Sequence, residues 1–93
     1  MKYFKRHWNV RRGGEVDEWG LSTWFFETDD SGSPTRQVEV YPNGRVLVYD
    51  SVHSHDRYGG LSQAAIELKA FARFEIGKPE FEKAWSTAAP FNR

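Results

Sequence analysis

His53 and His55, two residues apart, are followed by Asp56 and preceded by Asp50, and they are the residues best suited to chemistry in this chain. On an extended segment, positions two apart project to the same side. Two imidazoles and a carboxylate so placed could ligate zinc or another divalent ion. The competing reading is a solvated polar loop, and it is the stronger one. No further ligand is fixed by spacing, cysteine is absent, and neither paired Cys nor a His-Glu-x-x-His pattern occurs. His53, His55 and Asp56 are thus the candidate metal residues.

Tyr58-Gly59-Gly60-Leu61-Ser62 invites comparison with a phosphate-cradling loop. Such loops follow a buried strand, open a helix and usually carry a Lys, which is missing here. A turn in which Gly supplies positive φ is the better reading. Lys5, Arg6, Arg11 and Arg12 beside Tyr3, His7 and Trp8 form a small basic and aromatic patch of the kind that contacts nucleic acid. An acidic block follows it directly, so charged strand edges that discourage edge-to-edge pairing are preferred. For catalysis there is no nucleophile elbow and no Cys. The acidic pairs Asp29-Asp30 and Glu80/Glu82 fall in a turn and on a helix surface, where nothing desolvates them. The chain does not read as an enzyme, and no cofactor is indicated.

Aromatic residues are the remaining resource: seven Phe, four Trp and four Tyr. Tyr3, Trp8, Trp19, Trp24, Phe25, Phe26, Tyr41, Tyr49 and Tyr58 could line a cage for a cation or a peptide. A domain of 93 residues needs most of them in its core. One short helix cannot cover both faces of a sheet. Trp24, Phe26, Tyr41 and Tyr49, on the face away from the helix, are therefore expected to form an exposed binding surface.

These residues must be positioned by four alternating segments: Tyr3–Val10, Leu21–Thr28, Arg36–Tyr41 and Arg45–Asp50. In the first, Phe4, Arg6, Trp8 and Val10 share the face expected to meet the core. The second is aromatic on both faces, because Trp24, Phe25 and Phe26 are consecutive. In the third and fourth, valines alternate with Gln37, Glu39 and Tyr41 and with Leu47 and Tyr49. Tyr41-Pro42-Asn43-Gly44-Arg45 joins them, with Gly44 suited to the left-handed position of a bulged turn. Residues 51–62 read as a loop, and Gln63–Phe71 as a short helix with Ile66 and Ala70 on one face. Gly77-Lys78-Pro79-Glu80 opens a C-terminal helix whose stripe of Phe81, Ala84, Trp85 and Ala88 should pack on the sheet, and Pro90 ends it.

The expected architecture is one α+β domain over residues 1–93. It is a four-stranded antiparallel meander with a C-terminal helix on one face and room for a fifth strand near 74–76. The expected core is Phe4, Trp8, Phe25, Val38, Val40, Val46, Val48, Phe81 and Trp85.

Net charge is zero, from 13 basic and 13 acidic residues. That balance argues against general nucleic-acid binding, which leans on a basic surface. It also weakens colloidal repulsion, which makes a homodimer easier to form. The basic block in residues 1–14 and the acidic block in residues 15–30 are expected to face each other. Absence of cysteine points to a reducing cytoplasm, and no apolar run approaches a membrane span or a signal peptide.

The chain also resembles a family of small bacterial proteins that carry a domain of unknown function. The resemblance rests on Met1-Lys2-Tyr3-Phe4-Lys5-Arg6-His7-Trp8, Trp19-Gly20-Leu21-Ser22-Thr23-Trp24-Phe25-Phe26-Glu27 and Arg36-Gln37-Val38-Glu39-Val40-Tyr41-Pro42-Asn43-Gly44. Tyr58-Gly59-Gly60-Leu61-Ser62 and Phe81-Glu82-Lys83-Ala84-Trp85 fit the same pattern. It brings no catalytic residues. By analogy of size and free-standing occurrence, it implies an immunity-type inhibitor of a bacterial toxin. The expected function is a non-enzymatic module that binds another protein. A small-ligand or divalent-metal protein using the His53/His55 loop is the alternative.

Overall fold

Alternation of β-branched and aromatic residues with polar ones produces the strands that dominate this chain. The computed structural model describes residues 1–9 and 11–92. Val10, assigned above to the core face of the first strand, lies outside the described residues, as do the side chains of Glu15 and Val16. Strands β1 (Lys2–His7), β2 (Thr23–Thr28), β3 (Pro34–Val40) and β4 (Val46–Tyr49) pair antiparallel in sequence order. After β5 (His55–Asp56), β6 (Gly59–Gly60) and the single-turn helix α1 (Leu68–Phe71) comes β7 (Glu75–Ile76). It adds to the far side of β1, giving the sheet order β4-β3-β2-β1-β7. This is the short fifth strand for which the sequence left room. Helix α2 (Lys78–Thr87) then packs on the sheet. The fold is α+β.

The β3–β4 turn is built as its sequence predicts. The Tyr41 amide donates to Arg45 O at 3.0 Å and the Gly44 amide to Tyr41 O at 3.0 Å, with Gly44 at φ 87°. Gly77 precedes α2, and Pro79 and Glu80 occupy its first turn. The helix stops at Thr87 because Ala88 is extended. The chain then crosses to the outer edge of β4. There the Phe91 amide donates to Val46 O, and the Asn92 amide side chain brackets the Val48 backbone. An edge that would otherwise expose unpaired backbone groups is thereby covered.

Register separates two layers that the sequence reading had merged. Phe4 pairs with Phe26, Lys5 with Phe25 and Arg6 with Trp24. Phe4 and Trp8 therefore belong with Trp24, Phe26, Gln37, Glu39, Leu47 and Tyr49, on the face opposite α2. The helix instead covers Tyr3, with Phe81 at 5.4 Å between ring centroids. Its anchor is Arg36. The guanidinium makes a forked pair with Glu27 (2.9 and 2.6 Å), bonds Glu82 at 2.6 Å, and lies over the rings of Phe81 and Trp85.

The face away from α2 is not bare. A 3-10 turn at Gly14–Trp19, the β5–β6 hairpin and α1 with the turn after it close over it. Trp19 packs edge-on to Tyr41, and Phe71 meets both Phe4 and Phe26. The helix expected over Gln63–Phe71 shortens to Leu68–Phe71. Residue 66 is held out of it because its amide donates to Gly32 O at 2.8 Å, and Glu67 is extended.

Candidate functional site

Three of the four aromatics expected to form an exposed surface are buried. Phe26, Tyr41 and Tyr49 lie under the loops just described, while Trp24 is half-buried between Trp8 and Arg12. The loops and α1 that cover this face leave only Trp8 and Trp24 partly accessible among its described aromatics. What holds the loops down is a polar seam that begins at Glu39, which is 0% exposed. Its carboxylate accepts from Arg12 Nη1 (3.1 Å), the Tyr41 hydroxyl (2.7 Å) and Gln37 Nε2 (2.7 Å). Gln37 passes the network on, donating to Gly60 O and accepting from the Ser62 amide. Burial pushes the Glu39 carboxyl above the usual range, outweighing what Tyr41, Arg12 and Gln37 return.

Arg12 is thus not an edge guard. It turns inward to Glu39, outside the acidic block it was expected to face. The double glycine has a matching role. A Cβ on Gly59 would come within 2.7 Å of Arg12 Nη2, and Gly59 sits at φ 141°. Gly59 admits the guanidinium, and Gly60 admits the hairpin backbone at Ser54 O, 2.7 Å from where its Cβ would stand.

The seam continues to the histidine loop. Both oxygens of Asp56 are engaged: Oδ1 by the Tyr49 hydroxyl and the Tyr58 amide, Oδ2 by His53 Nε2 (2.8 Å) and Asn92 Nδ2 (2.9 Å). Burial alone would raise the Asp56 carboxyl. The hydrogen bonds from His53, Asn92, Tyr58 and Tyr49 win and hold it at about 2. His55 faces outward and meets Ser54 Oγ at 3.2 Å. Among the described residues, no three His, Cys, Asp or Glu side chains converge as metal ligands. Asp56 here ties the loop and the C-terminal segment to the sheet, and its four acceptor positions are filled.

The accessible concavity lies on the other face, where a continuous core was expected. Phe25, Val40 and Val46 are only half-buried, because α2 does not fill the space above them. The helix residues that could do so are Ala84 and, beyond its end, Ala88 and Ala89. The result is a cleft of about 580 Å³. Phe25, Val38, Val40 and Val46 form its floor, and Ala84, Thr87, Ala88 and Ala89 its wall. Lys5 and Thr23 stand at the β1–β2 end, and Gly44 at the β4 end. The volume is within the range of ligand sites, roughly 300–1,000 Å³.

Polar groups here are sparse and largely spoken for. Thr23 Oγ1 pairs with His7 Nδ1 at 2.9 Å, and Thr87 Oγ1 donates to Lys83 O at 2.6 Å. The Lys5 ammonium is held loosely, 3.7 Å from Glu80 Oε2, with both side chains about half exposed. The sequence reading missed this site. Its one signal was size, since the stripe that faces Val38, Val40 and Val46 alternates Phe81 and Trp85 with Ala84 and Ala88. Comparison with protein-family models, curated proteins and solved structures returned no match.

Proposed function

We propose that this chain is a non-enzymatic binding module that docks another protein in the cleft beside α2. The observation that carries this reading is the half-exposed apolar floor of Phe25, Val40 and Val46, which the chain's own helix leaves open. A small domain gains from covering such surface, at roughly 25 cal/mol per Å², and an uncovered apolar concavity is where a partner gains it instead. The polar seam on the opposite face supports the same reading from the other direction. Its carboxylates and amide groups are satisfied internally and serve to lock loops. An immunity-type inhibitor, as the resemblance implies, is one instance of such a module.

The test is retention of a binding partner by wild type and by Ala88→Trp, whose indole would occupy the cleft without touching the seam. A protein retained by wild type and lost from Ala88→Trp, at unchanged melting temperature, supports docking there. Equal retention by both moves the interface elsewhere.

A further inference from the structure

We infer that the occupant of the cleft is an amphipathic α-helix that lays an apolar stripe on Phe25, Val38, Val40 and Val46 and points an acidic side chain at Lys5. This rests on the docking site proposed above and names the chemistry of its partner.

Three features select a helix. The floor runs from Lys5 on β1 across β2 and β3 to Val46 on β4. Because α2 itself sits over β1 and β2, the open width is the two inter-strand spacings from β2 to β4, about 10 Å, close to the diameter of one helix of about 10–12 Å. Secondly, the lining offers little for an extended peptide to bond. The floor strands are paired to one another on their ladders, and the Thr23 and Thr87 hydroxyls already have partners. An extended chain lying across those strands would strand its amides on valine and phenylalanine. A helix satisfies its own backbone. Thirdly, the wall presents small side chains, Ala84 in α2 and Ala88 and Ala89 past its end, so a second axis can approach α2 closely.

Charge then sets the partner's polarity. Lys5 is the charged side chain lining the cleft among the described residues, and its ammonium is 3.7 Å from an exposed Glu80. A carboxylate on the incoming helix can displace that loose contact. Lys5 and not Glu80 lines the cleft, so the helix should carry Asp or Glu at that end.

A phage-displayed library of random 16-residue peptides, selected on wild type and counter-selected on Ala88→Trp, tests the inference without assuming an answer. Thr87→Trp serves as a second blocked form should Ala88→Trp fail to fold. The expected result is enrichment of apolar residues at i, i+3, i+4 and i+7 with an Asp or Glu flanking the stripe. Synthetic copies should lose at least tenfold in affinity for Lys5→Glu and regain it when their acid is changed to Lys. Cleft-dependent peptides that alternate with period two, are rich in Pro or ignore Lys5 would overturn the helix while leaving the docking site standing. Laurate is the parallel probe. If laurate shifts the methyl resonances of Val40, Val46 and Ala84 while no cleft-dependent peptide emerges, the site takes a small anionic amphiphile and the helix is wrong. If neither peptide nor laurate depends on the cleft, the docking site itself fails.

Discussion

Glu39 is a strand residue whose carboxylate is fully buried and held by Arg12, Tyr41 and Gln37. In Gln37-Val38-Glu39-Val40-Tyr41 the alternation assigns the strand. It also suggests that the polar set faces water. The structure buries that set instead, because loops carrying Arg12, Gly60 and Ser62 bring it partners. Partners more than twenty residues away leave no trace in a local pattern. The Gln-x-Glu-x-Tyr run beside aromatic strands was the available hint. With Arg12 removed, a buried carboxylate would stand without its cation. Arg12→Ala should therefore lower unfolding free energy by about 3 kcal/mol, measured by urea titration. Glu39→Gln should cost less, since it keeps the shape and removes the charge.

The two carboxyls of the seam respond to pH in opposite senses. Glu39 is raised in the folded state, so its contribution is fully present below its unfolded value of about 4.5 and is lost as pH rises through the folded value. Stability of wild type relative to Glu39→Gln should thus fall as pH rises from 4.5 toward neutrality. A difference that grows with pH would contradict the assignment. Asp56 is depressed to about 2 from 3.8. Its contribution of about 2 kcal/mol is present above pH 4 and is lost as pH falls toward 2. Asp56→Asn should flatten the acid limb of the melting curve between those values.

At the scale of elements, the strands and α2 were legible and the loop coverings were not. Pro42-Asn43-Gly44 fixed the β3–β4 turn, and Gly77 with Pro79 and Glu80 fixed the start of α2, because each is a local device. The helix over Gln63–Phe71 failed because Ile66 is claimed by Gly32, a contact across the fold. Which face of β1 meets α2 was equally hidden, and Phe4 and Trp8 were expected on the wrong side. Consecutive aromatics at Trp24, Phe25 and Phe26 make β2 apolar on both sides, and only pairing register decides between them. Docking of α2 hangs on Arg36, which ties Glu27 in β2 to Glu82 and is sandwiched against Phe81 and Trp85. Arg36→Ala should cost about 3 kcal/mol and lower hydrogen-exchange protection in α2 more than in β3 and β4. Arg36→Lys should recover only part of this, since an ammonium cannot make the fork.

Across the whole molecule, the two sheet faces are finished differently. One is sealed by loops through the bonded polar seam of Glu39, Gln37 and Asp56, with the Trp8 indole N–H buried and unpaired beside it. The other is covered by a helix that runs out of large side chains after Trp85 and leaves the cleft. The metal alternative asked the histidine loop to offer free ligands, whereas Asp56 is saturated and His53 is bonded to it. Filling the cleft should be benign for folding. Ala88→Trp is expected to stay within about 1 kcal/mol of wild type, because it adds apolar contact without overpacking a closed core. A large loss of stability would mean that the space is not open.

The most direct test is a methyl chemical-shift map of the labelled protein with the binder recovered from the random library. The expected result is perturbation confined to Val38, Val40, Val46, Ala84 and Ala88, with the exposed Val52 on the histidine loop unmoved. Perturbation at Val52 or Leu61, with the cleft methyls unchanged, would contradict docking beside α2.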